Sequence, residues 1–174
     1  LFDRRTRTTN ALSNYEEVDY DKVGNVIEIR RKDSSNGLMQ RSTRAYDERE
    51  RPYQTSDLYK DPSTTYSDAV TTTERFKTGH VRYVTDARSK VTETQYDTAW
   101  RVSKAIDPMG NEVANTWDAG GRRTAWTLKE IDGGSSVTHG YGAGYDDVGH
   151  MTSRTETDRT NGSNVYTTSY GYDS

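Results

Sequence analysis

The chain is predicted to be all-β, an antiparallel meander of repeated β-hairpins with almost no helix. Three observations lead to that class. First, only 30% of the 174 residues are hydrophobic and 29% are charged, with a mean hydropathy of −1.09. Such polarity alone would suggest disorder. The net charge is only −3, however, and the polar excess is Thr and Tyr, with 13 tyrosines; these residue types favour strands. Second, an aromatic residue followed by Asp recurs along the chain, separated by short strand-like segments and turns. Third, no window of helical length shows convincing 3.6-residue periodicity.

The repeated pair begins at Phe2-Asp3 and returns at Tyr20-Asp21, Tyr46-Asp47, Tyr96-Asp97, Trp117-Asp118, Tyr145-Asp146 and Tyr172-Asp173, with looser copies at Thr85-Asp86 and Ile106-Asp107. Three residues after the Asp stands Gly in Gly24, Gly110, Gly121 and Gly149. A polar or basic residue comes next, as in Asn25, Arg51, Lys90, Arg101, Asn111, Arg122 and His150. Strand-type segments lie at 25–30, 80–85, 90–96, 111–117 and 164–172, and further turns are expected at 33–37, Asp61-Pro62, Asp132-Gly133-Gly134 and 158–162. Residues 54–78 are the least regular part, undecided between strand and Thr-rich loop. The whole of 1–174 reads as a single continuous array, expected to be a segment of a longer one.

The spacing D-x-x-G describes a turn. Asp suits its first position because the carboxylate accepts a hydrogen bond from the backbone two residues on. Pro is favoured at the second position, where Pro108 stands, and Gly supplies the left-handed conformation that closes the hairpin through a bulge. Asp21, Gly24, Asp47, Asp97, Asp107, Pro108, Gly110, Asp118, Gly121, Asp146 and Gly149 are therefore expected to be structural turn residues. Tyr20, Tyr46, Tyr96, Trp117, Tyr145 and Tyr172 are expected to pack as rings on the hairpin shoulders. Thr6, Glu50, Ser89 and Trp100 occupy the Gly position. Because non-Gly residues are uncommon at positive φ, those turns are expected to use another geometry.

The strands carry a second message. In NVIEIR, Val26, Glu28 and Arg30 would alternate with Asn25, Ile27 and Ile29. In KVTETQY, Val91, Glu93 and Gln95 would alternate with Thr92, Thr94 and Tyr96. Neither has the apolar-in, polar-out pattern of a sandwich strand. Mixed faces suit a thin curved wall, held by cross-strand Tyr, Thr and Arg pairs of roughly 0.2–1 kcal/mol each.

Several functions are disfavoured. No run of about 18 apolar residues is present to span a membrane, and no basic-plus-apolar leader opens the chain. With no cysteine, disulfide frameworks and Cys-based zinc sites are excluded. A pI near 5.7 with interspersed charges offers no basic stripe for nucleic acid. His80, His139 and His150 sit at turns and strand starts without a convergent catalytic set. The pairs Glu16-Glu17 and Asp146-Asp147 are sequence neighbours, which on a strand face opposite ways. One Asp per turn is too few for calcium, so no metal and no cofactor is expected. Tyr141, Tyr145, Trp117 and Trp126 could serve as stacking platforms for glycans, the main competitor to a packing role. Asn161-Gly162-Ser163 is a formal glycosylation sequon on a turn. The run Gly140-Tyr141-Gly142-Ala143-Gly144 lacks the Lys and helix of a phosphate loop and reads as a flexible hairpin connection.

Taken together, these residues resemble the YD-repeat, or rearrangement-hotspot, family, whose repeats read approximately Y-D-x-x-G-R-L with a second turn often written D-P-x-G. Tyr20-Asp21-Lys22-Val23-Gly24-Asn25-Val26 and Tyr145-Asp146-Asp147-Val148-Gly149-His150-Met151 carry the likeness, and Asp107-Pro108-Met109-Gly110-Asn111 matches the second turn. The resemblance runs from Phe2 to Asp173. It implies an array of hairpins spiralling into a shell or tube wall, and an encapsulating or scaffolding role without enzymatic activity. It further implies a secreted or cell-surface bacterial protein whose partners are neighbouring repeats, other copies of itself, or an enclosed toxin segment. The family's autoproteolytic end, D-P-x-G-L-x-G-G, is not matched: Asn111 follows Gly110 where Leu belongs, so no catalytic role passes to Asp107. The array both begins and ends inside a repeat, which favours strand pairing with another chain. End-to-end stacking into an extracellular filament or tube is thus an alternative to a closed shell, and a carbohydrate-binding adhesion module is another.

Overall fold

Short polar strands with no core of their own gain stability by pairing with whatever lies beside them, and here each pairs with its neighbours in chain order. The computed structural model describes residues 4–61, 64–132, 135–158 and 164–172. The strands are β1 (Arg7–Thr9), β2 (Tyr15–Tyr20), β3 (Val26–Lys32), β4 (Leu38–Tyr46), β5 (Pro52–Asp61), β6 (Thr64–Arg75), β7 (Val81–Thr85), β8 (Val91–Tyr96), β9 (Val102–Ile106), β10 (Glu112–Trp117), β11 (Arg123–Asp132), β12 (Ser135–Tyr145), β13 (Met151–Asp158) and β14 (Asn164–Ser169). No helix occurs among the described residues. The chain divides into two compact units, residues 1–90 with β1 to β7 and residues 91–174 with β8 to β14.

Within each unit the sheet is an antiparallel meander in which every strand pairs with the next. Contacts between elements run only between adjacent strands, so neither unit has a second layer packed on its sheet, and neither sheet closes on itself among the described residues. Burial follows from that. Leu58 of β5 is the one buried hydrophobic residue described, at 8% exposure, and it sits in a cross-strand row between Arg41 and Asp68. The guanidinium of Arg41 reaches over it to the Asp68 carboxylate at 3.4 Å. Stability must therefore come largely from backbone ladders and cross-strand pairs.

Three sequence readings change here. The described residues of 54–78 are mostly strand: they hold most of β5 and β6, strands of 10 and 12 residues. The Gly140 to Gly144 run is not a connection. It lies inside β12, paired on both sides. Its glycines alternate with Tyr141 and Ala143, so the bare positions share one face. There the hydroxyls of β13 lean across them: a Cβ on Gly142 would run into Thr155 Oγ1, and one on Gly144 would come within 2.5 Å of Ser153 Oγ. Glycine in this strand makes room for a neighbour, not for flexibility.

The third change concerns alternation in β3. Tyr20 pairs with Val26 while Asp19 pairs with Glu28, leaving Ile27 as a bulge. Val26 and Glu28 thus fall on opposite faces, and the simple two-residue pattern along NVIEIR breaks at its start. The same register shift follows the tips after β4, β6, β8, β10 and β12. The Asp107 hairpin between β9 and β10 shows no such shift. The expected turns at Asp61-Pro62, Asp132-Gly133-Gly134 and 158–162, the sequon at 161–163, Phe2-Asp3 and Asp173 all involve positions outside the described residues.

Candidate functional site

Antiparallel strands in chain order send successive turns to opposite edges of a sheet. In the first unit the turns after β2, β4 and β6 share one edge; in the second, those after β8, β10 and β12 do. These edges carry Tyr20, Tyr46, Tyr96, Trp117 and Tyr145, each one residue before its turn. The opposite edges carry the turns at Asn10, Asp33, Asp86 and Asp107, preceded by Thr9, Lys32, Thr85 and Ile106. The aromatic-aspartate motif thus marks one edge of each unit.

The described aspartate tips share one plan, from which Asp21 departs in that the Gly24 amide donates to its Oδ1 at 2.6 Å. The Asp amide donates to the carbonyl four residues on, as Asp47 does to Arg51 at 2.9 Å and Asp118 to Arg122 at 2.9 Å. The third residue after Asp donates back to the Asp carbonyl, as Glu50 to Asp47 and Gly110 to Asp107, both at 3.0 Å. One carboxylate oxygen, Oδ1, accepts the amide two residues on at Val23, Ser35, Arg49, Arg88, Ala99, Met109 and Val148, at 2.8–3.1 Å. The same oxygen accepts the amide four residues on, including Arg51 at 3.0 Å, Asn111 at 3.0 Å, Arg122 at 2.8 Å and His150 at 2.8 Å. The other oxygen, Oδ2, takes the side chain in that fourth slot: Asn25 Nδ2 at 2.9 Å, Arg51 Nε at 2.8 Å, Arg101 Nε at 2.7 Å, Asn111 Nδ2 at 2.7 Å and Arg122 Nε at 2.7 Å.

These contacts set the electrostatics. The side-chain and backbone donors of Arg51 pull the Asp47 carboxyl down from 3.8 to about 2. Asp97 and Asp118 are lowered first by the amides of Arg101 and Arg122, and Asp107 first by the Asn111 side chain. A carboxylate shared among several donors is held ionised. It makes a poor general acid or base near neutral pH.

The tips with Glu50, Ser89 and Trp100 in the Gly slot do not use another geometry. Their φ values are 59°, 59° and 60°, and their hydrogen bonds match those of the glycine copies, whose φ values at Gly24, Gly110, Gly121 and Gly149 run from 85° to 112°. At Glu50 and Trp100, strand pairing on both sides of the turn overrides the local cost of a left-handed side chain. Thr6 is not among the positive-φ residues, and its carbonyl accepts the Val18 amide beside β1; the Asp3 of its turn lies outside the described residues.

In the second unit two tips grip the next along the same edge. Arg101 Nη1 donates to the Asp118 carbonyl at 2.7 Å, and Arg122 Nη1 to the Asp146 carbonyl at 3.1 Å. The same guanidiniums lie over the next ring, Arg101 over Trp117 at 5.8 Å and Arg122 over Tyr145 at 5.0 Å. The rings answer in the other direction. Trp117 Nε1 donates to Val102 O at 3.0 Å, Tyr145 Oη to Arg123 O at 3.0 Å, and Tyr172 Oη to Met151 O at 2.8 Å. In the first unit Tyr46 Oη donates to Val26 O at 2.9 Å and Tyr20 Oη to Arg5 O at 3.1 Å. Each acceptor after an Asp, whether Val26, Val102, Arg123 or Met151, is the fifth residue beyond it. Arg4 belongs to the same scheme, donating to Asp21 O at 3.3 Å and lying 5.4 Å over Tyr20. Tyr96 meets Trp100 of its own tip at 6.0 Å.

Some members of this ladder carry no aspartate and escape the sequence motif. Asn10 replaces Asp in the turn after β1, its Oδ1 accepting the Leu12 and Asn14 amides at 2.9 and 3.1 Å. Phe76 stands in the Asp position after β6, with Phe76 N–H to His80 O at 2.9 Å and Gly79 N–H to Phe76 O at 2.8 Å. Gly79 three residues later was the available signal. The bulge residues give none, since Ile27, Tyr53, Arg82, Ser103, Thr124 and Thr152 range over aliphatic, aromatic, basic and hydroxyl side chains.

Of the rings considered for glycan stacking, Trp117 and Tyr145 are engaged in the ladder. Trp126 and Tyr141 are cross-strand partners stacked on each other at 5.0 Å and 9°, and Arg123 lies 4.1 Å over Trp126. Glu16 and Glu17 pair separately with Arg31 and with Lys32 at 2.9 and 3.0 Å. Among the described residues no group of three or more His, Asp or Glu side chains is placed to hold a metal ion, and no helix is long and apolar enough to cross a membrane.

No family model matches the chain, and no curated protein matches it. Among solved structures it is similar to a chain of the TcdB2–TccC3–Cdc42 crystal structure, with 14% identity over 90% of this chain and 10% of that one, at a TM-score of 0.48. A chain of the Photorhabdus luminescens Tc holotoxin pore gives 14% identity, 90% and 9% coverage and a TM-score of 0.48. The TcdB2–TccC3 crystal structure gives 12%, 90% and 10%, with a TM-score of 0.49. The chain spans about a tenth of the length of these chains.

Proposed function

We propose that the chain is a non-enzymatic wall segment, a hairpin array that encloses or scaffolds in the manner of a YD-repeat shell. The observation that supports this reading is the two-way grip between neighbouring rungs. Arg101 and Arg122 hold the next turn's carbonyl, and Trp117 and Tyr145 hold the previous hairpin's. Groups that could have done chemistry are engaged in architecture. The mixed polarity of both faces and the lack of a second layer fit a sheet with solvent or cargo against it. In this reading the array spirals as part of a longer secreted or surface-exposed bacterial polypeptide, its partners being adjacent repeats and an enclosed toxin segment.

Electron microscopy of the intact assembly tests the proposal. A closed hollow particle is expected. An unlimited fibre with this segment as its repeat would overturn the shell in favour of self-assembly. Specific glycan-array binding that Trp126→Ala abolishes would instead favour the adhesion reading.

A further inference from the structure

His150 occupies the slot that Arg51, Arg101 and Arg122 fill at other tips. Its amide donates to Asp146 Oδ1 at 2.8 Å, and its ring Nδ1 lies 3.2 Å from Asp146 Oδ2. The ring also stacks on Tyr172, with centroids 4.7 Å apart and planes at 30°. Tyr172 in turn donates to Met151 O at 2.8 Å. An arginine in this slot supplies a permanent charge to both the carboxylate and the following ring. Histidine supplies it only when protonated, and it is the side chain whose charge ordinarily changes between about pH 5 and 8.

We propose that His150 is a proton-operated latch that fixes the segment carrying Tyr172 to the Asp146 tip. In its neutral form the imidazole makes an ordinary hydrogen bond and a ring stack. Once protonated, it makes an ion pair with Asp146 and a cation–π contact with Tyr172. Asp146 remains available as the anion. Burial pushes its carboxyl up, but the His150 and Gly149 amides together with the His150 ring hold it below its usual value. Among the described residues the other charged groups at this tip are Asp147, adjacent in the turn, and Arg122 from the turn after β10. Arg122 addresses the Asp146 carbonyl at 3.1 Å rather than its carboxylate. An imidazolium is the acid form of histidine, so the latch is firmer in acid and looser in base. The latch does not depend on what the wall encloses.

Amide hydrogen exchange by NMR on the full 174-residue chain tests this, read at Asp146 and His150 and corrected for the intrinsic pH dependence of exchange. Protection of both amides should rise roughly two- to fivefold from pH 8 to 5.5, the range expected of an exposed ion pair. His150→Arg should hold the higher level at both pH values, and His150→Asn the lower. Flat protection in the wild-type protein, or the same rise in both variants, would overturn the latch. Should a variant fold poorly, the Tyr172 ring resonances of the wild-type protein decide: a shift with pH across this range supports the proposal, and its absence refutes it.

Discussion

Replacing Gly121 by Ala isolates the conformational cost of the aspartate turn. Gly121 has φ of 85°, and a Cβ built there meets nothing within 4 Å, so no packing change clouds the result. An L-residue in the left-handed region costs roughly 1–2 kcal/mol, while Gly→Ala recovers about 0.4–1 kcal/mol by restricting the unfolded chain. The net expectation is a loss of about 0.5–1 kcal/mol, with the backbone moving toward the φ near 60° that Trp100 adopts. The reverse experiment is available in the same slot. Glu50→Gly, at φ 59°, should gain a similar amount. Urea titration provides the assay, the midpoint shifting at unchanged slope. If Gly121→Ala were neutral or stabilising, or Glu50→Gly destabilising, the equivalence of the two turns would be wrong.

Other expectations follow from single contacts. Tyr145→Phe removes the bond to the Arg123 carbonyl and should cost about 0.5–1.5 kcal/mol by the same titration, with no loss of strand content by circular dichroism. Gly142→Ala should destabilise by about 1–3 kcal/mol through overpacking against Thr155, and Thr155→Ala should relieve most of that loss in the double variant. Acid should weaken the sheet in a defined window. A carboxyl lowered in the folded state contributes stability above its unfolded value and loses it as pH falls through the folded one. For Asp47 that window runs from 3.8 down to about 2. Melting temperature followed between pH 5 and 2 should fall more steeply in the wild-type protein than in Asp47→Asn.

What the residues disclose in advance depends on how local the physics is. An aspartate bonding its own backbone acts within five residues, so the D-x-x-G turns at Asp21, Asp107 and Asp146 can be read from spacing alone. The left-handed Glu50 and Trp100 cannot, because strands paired on either side impose a conformation that their own preferences oppose. Strand β12 escaped because its glycines are explained by Thr155 and Ser153 of the next strand, not by anything within the run. The long strands β5 and β6 were ambiguous because a Thr-rich stretch becomes sheet only when a partner is present. At the candidate site, the polar or basic residue in the fourth slot was visible in the sequence, but its bond to the Asp carboxylate was not, because that depends on how the returning strand presents the side chain. The reach of Arg122 to the following turn requires the register of β11, β12 and β13 and has no sequence signature.

The central claim is that the Asp97 and Asp118 tips are each tied to the next aromatic-aspartate tip by an arginine and that tip's ring. A double-mutant cycle on Arg122 and Tyr145, using Arg122→Ala, Tyr145→Leu and their combination, measures that tie directly. The ring contact at 5.0 Å predicts a coupling energy of about 0.5–1 kcal/mol. Strict additivity of the two substitutions would mean the rungs stand independently and would contradict the account.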